Sequence, residues 1–145
     1  MDRNLSFDLH VLTARLDRAA DRILRAEHQV SYRRFLALTL VGRLGASTQR
    51  TLAEYLGVTE PSVSRMTAVL AAEGLLDVRP DPDGGRKRRL SLTDKGKELV
   101  ASVQRGFEDR LAALVAHSGV PYEEYAEHTA RLLQAFERWE QEKST

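Results

Sequence analysis

The stretch from Gln49 to Leu70 limits the possible folds most, because its apolar residues follow helical spacing on both sides of one glycine. Gly57 marks a turn, since glycine adopts positive φ at little cost and often follows the last residue of a helix. Thr59 suits the N-cap of a second helix, and Pro61 suits its first turn, where N–H groups lack intrahelical partners. The sequence therefore predicts two short helices joined at Gly57, a helix-turn-helix.

The side chains of this stretch divide into an inward set and an outward set. Ala53 is small enough to let the two helices cross closely. The positions expected to face inward are Leu52, Leu56, Val58, Val63, Met66 and Leu70. The positions left facing outward at the start of the second helix are Pro61, Ser62, Ser64 and Arg65. Small hydroxyls and one guanidinium are typical of a helix that enters the DNA major groove, although plain helical domains also contain such two-helix hairpins.

A predicted β-hairpin follows directly and carries a basic run. Residues 75–79 have the pattern of a short strand, 80–85 are dense in turn formers, and 86–93 alternate like a second strand. In the second strand, leucines at 90 and 92 take one side, and Arg89 and Ser91 take the other. A basic hairpin after a helix-turn-helix predicts a winged helix-turn-helix DNA-binding domain, which we place at residues 31–97.

Composition narrows the class of protein further. Hydrophobic residues make up 42% and charged residues 30% of 145, which describes one globular domain with a core. No apolar run approaches the roughly 20 residues of a membrane span, and no secretory signal is visible, so we expect a cytoplasmic protein with no membrane partner. Cysteine is absent, which excludes disulfides and Cys-ligated zinc. The formal net charge is only +1, so placement of the basic run matters more than the total.

Long helical patterns flank the winged domain. They run from about Leu5 to Val30, from about Asp94 to His117 and from about Tyr122 to Glu142, and a fourth helix, from about Ser31 to Leu44, is apolar enough to be central and buried. Each flanking helix has an apolar stripe that the small winged unit is unable to cover alone. We therefore expect residues 1–30 and 98–145 to form a helical dimerisation region, in one compact unit with the winged domain. A monomeric helical bundle is the alternative. The expected fold class is mainly α with a small β-hairpin.

This order of elements resembles the MarR family of bacterial transcriptional regulators over nearly the whole chain. The segments that carry the resemblance are LAEYLGVTEPSVSRMTAVLAAEGLL and DPDGGRKRRLSLTDKG, the second of which ends in Leu92, Thr93, Lys95 and Gly96. The resemblance implies an obligate homodimer on a pseudo-palindromic operator in double-stranded DNA. It implies a repressor released by a small aromatic or anionic effector.

The DNA-binding residues implied by the resemblance and by position are Gln49, Arg50, Thr59, Pro61, Ser62, Ser64, Arg65, Arg86, Lys87, Arg88 and Arg89. Arg86 corresponds to the wing arginine that family members insert into the minor groove. Many members have Asp-Arg-Arg at this place, whereas here Gly84 and Gly85 precede Arg86. Asp83 is the candidate substitute for the missing acid, and the two glycines predict a mobile tip that becomes ordered on DNA.

The DNA-binding residues are expected to make different kinds of contact. Arg65 is the candidate for reading guanine O6 and N7, against a phosphate contact or an intramolecular ion pair. Gln49 and Arg50 suit a phosphate at a helix terminus. Lys87 to Arg89 lie in succession on a strand, so their side chains do not all point the same way, and some face solvent or acids such as Asp77.

The effector pocket of this family lies between the dimer helices and the winged domain. Arg15 is the candidate partner for an anionic effector, although each lining candidate also suits plain core or surface. The candidate lining residues are Leu9, Leu12, Arg15, Leu16, Tyr32 and Phe35.

The sequence can be compared with the requirements of three other functions. An enzyme is disfavoured because the histidines at 10, 28, 117 and 128 are scattered and no phosphate-binding glycine loop is present, so no cofactor is expected. A metal-responsive regulator of the same fold would use His10, His117, His128 and Glu124, which have no metal-ligand spacing. A winged-helix adaptor for protein contacts is the third alternative, and the basic hairpin argues against it.

Overall fold

The computed structural model describes residues 3–43, 45, 47–85 and 87–144. Within them the chain is mostly helical with one antiparallel hairpin, so the predicted fold class is confirmed. None of the described helices is long and apolar enough to cross a membrane. In chain order the elements are α1 (Leu5–His28), α2 (Tyr32–Arg43), α3 (Gln49–Leu56), α4 (Glu60–Ala72), β1 (Leu76–Pro80), β2 (Arg88–Leu92), α5 (Asp94–Ser118) and α6 (Tyr122–Lys143).

Contacts within the chain divide it into two compact units, Met1–Gln104 and Arg105–Thr145. The first unit holds α1 to α4, the hairpin and the beginning of α5, and the second holds the rest of α5 and α6. The boundary therefore falls inside one continuous helix. The domain division given by residues 31–97 stays a prediction, because which helices form a dimer interface depends on a second chain.

Helix α2 supplies much of the core of the first unit. Leu38 of α2 is fully buried, as are Leu24 of α1, Leu52 of α3 and Leu70 of α4. Burying such a side chain contributes roughly 1.5–3 kcal/mol relative to leaving it exposed. The prediction of a central α2 is confirmed by its buried residues, which are Phe35, Ala37, Leu38, Leu40 and Val41.

Helix α1 ends two residues before the predicted Val30. Gln29 takes a left-handed conformation with φ 55°, and its N–H donates to the carbonyl of Leu24. This cap ends the helix at His28 and turns the chain, while Val30 is buried beyond it. The sequence pattern predicted a longer helix because Val30 is a core residue at a helical spacing, although it lies outside the helix.

Strand β1 has the predicted length but begins and ends one residue later than predicted, and β2 is shorter than predicted. The backbone N–H of Leu75 donates to the carbonyl of Leu70 at 3.0 Å, so Leu75 closes helix α4 and β1 begins one residue later. At the other end of the hairpin, the Thr93 hydroxyl accepts from the N–H of Gly96, and Thr93 caps α5 after β2 has ended. Helix caps therefore occupy the outer residues of both predicted strands.

Aromatic and charged side chains make surface contacts in the second unit. The Tyr122 hydroxyl donates to the Glu108 carboxylate at 3.1 Å. On α6, Phe136 and Trp139 meet edge to face at 5.9 Å between ring centroids, and the Lys143 ammonium lies 3.9 Å from the Trp139 centroid. These contacts involve the surface of α6, and none of its residues, all of which are described, is buried.

Candidate nucleic-acid interface

The predicted helix-turn-helix consists of α3 and α4, and local hydrogen bonds define the turn. Thr48 is the N-cap of α3, and its hydroxyl accepts from the N–H of Thr51 at 3.1 Å. Gly57 has φ +65°, and the next residue, Val58, donates its N–H to the carbonyl of Ala53 at 3.1 Å. Ala53 is buried, as its small size predicted. The turn glycine and the inward position of Ala53 are therefore confirmed.

The start of α4 is ordered by three neighbouring side chains. The Thr59 hydroxyl accepts from the N–H of Ser62 at 3.3 Å and donates to the Ser62 hydroxyl at 3.0 Å, which confirms the predicted N-cap. A guanidinium nitrogen of Arg65 donates to the same Ser62 hydroxyl at 3.4 Å. Arg65 is exposed, as are Pro61 and Ser64, so its other guanidinium donors are accessible to a ligand.

The hairpin has one buried face and one exposed face. In the strand register, Val78 pairs with Leu90 and Arg79 pairs with Arg89. Residues directly opposite each other share a face of the sheet. Leu90 is buried, and Arg89 is exposed on the other side, so the predicted alternation is confirmed.

Arg79 is a cation that sequence reasoning did not single out. It lies directly opposite Arg89 in the antiparallel pair, and both side chains are exposed. Like charges in this position repel each other and destabilise the hairpin. The strand register would have identified Arg79, because it places Arg79 beside Arg89, ten residues later in the sequence.

The tip of the hairpin bends at two glycines. Gly84 and Gly85 have φ of +93° and +81°, a region that favours glycine. The N–H of Asp83 donates to the Asp81 carboxylate at 3.1 Å. Arg86 lies outside the described residues, so its minor-groove contact and its pairing with Asp83 stay predictions, as does the mobility of the tip.

Strand β2 is attached to the start of α3. The N–H of Leu90 donates to the carbonyl of Ser47 at 2.7 Å, and Thr48 forms an isolated β-bridge with Arg89. The segment before α3 thus pairs with β2 on the edge that β1 leaves open. This pairing fixes the position of the wing relative to the helix-turn-helix.

A cleft of about 480 Å³ lies where the beginnings of α3, α4 and β2 meet. Three cations line it, Arg50, Lys87 and Arg88, and Glu60 is the acid among its described lining residues. Arg89 lies on the exposed hairpin face with Arg79, so the basic run is divided between two faces, as predicted for successive strand residues. The described lining residues are Thr48, Gln49, Arg50, Thr51, Glu60, Lys87 and Arg88.

The side chain of Gln49 bonds within the protein. Its amide nitrogen donates at 3.1 Å to the hydroxyl of Thr67, a nearly fully buried residue of α4. The phosphate contact predicted for Gln49 therefore rests on its backbone N–H at the start of α3. Arg50 is exposed and pairs with Glu54 at 3.5 Å, a surface interaction that is weak enough to exchange for a phosphate.

The predicted effector residues have different environments. Phe35 is buried and Tyr32 is half-buried, so these two help to join α1 to α2. The N–H of Tyr32 donates to the Asp21 carboxylate at 2.9 Å, and this bond, with the one from Arg25, holds the pKa of Asp21 below its usual value. Burial, and then Asp17, raises the pKa of Tyr32. The candidates that are exposed are Leu9, Leu12, Arg15 and Leu16.

No metal cluster is visible in the part of the chain that the structure describes. Within it, no three His, Asp or Glu side chains are grouped so that they would hold a metal ion. The residues proposed for a metal-responsive regulator, His10, His117, His128 and Glu124, thus gain no support from the geometry.

Comparisons with known proteins agree on one family. A family model described as "MarR family" matches residues 28–87. The chain is 35% identical over 115 residues to the HTH-type transcriptional regulator MT0903.1 of Mycobacterium tuberculosis, covering 79% of this chain and 80% of that protein. It is 31% identical over 99 residues to the HTH-type transcriptional regulator PetP of Rhodobacter capsulatus, covering 68% of this chain and 59% of that one.

Solved structures support the fold. Wild-type MarR from E. coli in its apo form superposes with a TM-score of 0.77 at 20% identity, covering 93% of this chain and 98% of that one. The S. aureus MepR–DNA complex superposes with a TM-score of 0.69 at 21% identity, covering 95% and 99%. The relatives are regulators of transcription, which disposes of the enzyme alternative. The chain belongs to the MarR family of transcriptional regulators.

Proposed function

We propose that the protein is a homodimeric, sequence-specific repressor that binds a pseudo-palindromic operator and is released by a small aromatic or anionic ligand. The observation that carries this proposal is the cleft at which the start of α4 meets the wing cations Lys87 and Arg88. A helix start with exposed hydroxyls beside a cationic hairpin suits a DNA duplex, in which base edges lie between two lines of phosphates.

The contacts divide into base readout and phosphate positioning. Arg65 lies exposed at the start of α4 and reaches a guanine edge in the major groove, with Ser62 holding its guanidinium. Arg50 and Arg88, on either side of the cleft, bind phosphates. Glu60, the acid of the cleft, accepts from the amino group of a cytosine and disfavours bases that present an acceptor there.

Exposed apolar side chains support the dimer. On α1, Leu5 and Leu9 lie one turn apart and are 67% and 42% exposed, and on α6, Leu132 and Trp139 are 64% and 52% exposed. Large apolar side chains that recur along an exposed helix face mark an interaction surface. A second copy of the chain is the occupant we propose, since a two-fold dimer also presents two copies of α4 to a palindrome.

The proposal is tested by selecting bound duplexes from a random pool with the purified protein, followed by footprinting. We expect an inverted repeat whose half-sites are centred about 34–36 Å apart, one turn of DNA. Sedimentation equilibrium should give the mass of two chains. A pool without enrichment, or a monomer bound to a single site, would contradict the proposal.

Repression and release require a separate measurement. In a purified transcription reaction on a template carrying the selected duplex over the promoter, the protein should lower transcript yield. A small phenolic acid such as salicylate is the first probe, and it should restore the yield and weaken duplex binding in parallel. A rise in transcription on adding the protein alone would make it an activator.

A further inference from the structure

The C-terminal end of α4 is closed by a complete Schellman motif. The N–H of Leu75 donates to the carbonyl of Leu70, and the N–H of Gly74 donates to that of Ala71, both at 3.0 Å. Gly74 has φ +76°, which is the left-handed residue that this motif needs. The chain therefore leaves α4 in a fixed direction. The carbonyls that follow the motif are left to accept hydrogen bonds from another segment.

The next three carbonyls are bonded by the segment that opens α5. The Lys95 ammonium donates to the carbonyl of Glu73 at 2.9 Å, and the Thr93 hydroxyl donates to that of Gly74 at 2.6 Å. The backbone N–H of Thr93 donates to the carbonyl of Leu75 at 3.3 Å. Two residues that lie about 20 positions further along the chain thus satisfy the acceptors at the end of α4.

The same segment begins α5. The Thr93 hydroxyl accepts from the N–H of Gly96 at 3.0 Å, so one oxygen caps α5 while its proton binds the end of α4. Gly96 packs so closely on Leu75 that a Cβ at position 96 would overlap the Leu75 carbonyl. Residues 93, 95 and 96 form what we call the α4–α5 clamp.

We infer that the α4–α5 clamp fixes the tilt of α4, the helix proposed to read the bases, on α5 and thereby sets which half-site spacing the dimer accepts. This inference rests on the proposed function. Helix α5 has 25 residues, about 37 Å at its usual rise, and it continues from the first unit into the second. With the clamp intact, α4 does not tilt unless α5 moves with it.

Half-site spacing is the quantity that such a clamp controls. Adding one base pair between the half-sites increases their separation by about 3.4 Å and rotates one relative to the other by about a tenth of a turn. A rigid dimer loses binding free energy on the displaced half-sites. A dimer with loosened α4 helices loses less, because each helix adjusts its tilt to its half-site. Positioning by the clamp is therefore distinct from the base preference of each half-site, which depends on the other end of α4.

Lys95→Met is the first variant to test, because it keeps the aliphatic stem and removes the ammonium that bonds Glu73. Lys97→Met is its matched control, since Lys97 is exposed two residues later and has the same charge. Thr93→Val removes the hydroxyl with little change in shape, and Thr93→Ser restores both hydroxyl bonds. The serine variant separates the loss of these bonds from any general effect of substitution at position 93.

Binding is measured on a duplex selected by the wild-type protein and on copies with one base pair added or removed between the half-sites. We expect the penalty for wrong spacing to fall up to about tenfold in Lys95→Met and Thr93→Val, the scale of one lost hydrogen bond. Lys97→Met and Thr93→Ser should keep the wild-type penalty, and half-site base preference should be unchanged in all four. A uniform loss of affinity with an unchanged spacing penalty overturns the inference.

Amide hydrogen exchange of the dimer without DNA gives an independent readout. In Thr93→Val, the amides of Leu75 and Gly96 should exchange faster together, because one hydroxyl orders both helix ends. Faster exchange at Gly96 alone would overturn the coupling. If the wild-type protein selects no duplex with two half-sites, the proposed function fails and the spacing inference falls with it, while joint exchange would still establish the clamp itself.

Discussion

The two ends of α4 are held in different ways. At its start, the side chains of Thr59, Ser62 and Arg65 bond to one another, within seven residues, and two of these residues are exposed. At its end, Thr93 and Lys95 reach back from the next helix to bond the carbonyls that follow α4. The helix is thus anchored to the protein at one end and presents unpaired donors at the other. This arrangement fixes the position of α4 without using the Arg65 donors that we propose contact the bases.

Gly96→Ala attacks the anchored end and should have the largest effect. The new methyl group overlaps the Leu75 carbonyl, and forcing such a contact costs about 1–3 kcal/mol of unfolding free energy or more. Urea unfolding measures this loss. Gly106→Ala is the control, because it lies within α5 with only the flexible end of Arg110 near, and there alanine should stabilise by about 0.5–1 kcal/mol. Equal midpoints for the two variants would show that the end of α4 is not tightly packed.

Arg65→Ala attacks the presenting end. It should leave the unfolding free energy almost unchanged, because the side chain is exposed, and weaken operator binding by about 1–3 kcal/mol while relaxing base preference at one position. Titration of labelled duplexes, cognate and randomised, measures both effects.

Arg88→Ala is the partner variant for this measurement. As a phosphate contact at the cleft, it should weaken all duplexes alike and lower the slope of log affinity against log salt by about one. Should Arg65→Ala weaken cognate and random DNA equally, Arg65 is another phosphate contact and the start of α4 reads no base.

Arg79→Gln should have the smallest effect, with opposite signs for folding and binding. Removing one member of the Arg79–Arg89 pair relieves repulsion in the free hairpin, which should raise stability by a few tenths of a kcal/mol. If the pair binds a phosphate, the salt slope should fall by about one in the same variant. Arg22→Gln, an exposed charge on α1, is the control and should change neither quantity. Identical slopes for the two variants would remove Arg79 from the interface.

Features that depend on neighbouring residues were predictable from the sequence. Thr59 and Gly57 were assigned correctly because a cap and a turn glycine depend on a few adjacent φ and ψ angles. The alternation of Leu90 and Arg89 was also correct, because a strand exposes alternate residues by its own geometry.

Features that depend on distant partners were missed or misplaced. Leu75 was assigned to a strand, since only the fold shows that its N–H returns to Leu70 and its carbonyl meets Thr93. The bond from the Gln49 amide to Thr67, eighteen residues away, was also missed, while the phosphate contact at the backbone of Gln49 stays a prediction. Glu60 was not weighed as a cleft residue because the cleft joins three separated segments. The dimer and the effector stay proposals, since both depend on molecules other than this chain.

The absence of any buried residue on α6, residues 122–143, has a consequence for the amount of protein in a cell. An isolated helix of 22 residues has little stability of its own in water, so its order depends on whatever covers it. If a second copy covers it, mass action makes the folded fraction rise with concentration. At low copy number the C-terminal segment would unfold and become open to proteases. Monomers would then be degraded before dimers. Operator occupancy would therefore require a minimum concentration of the protein.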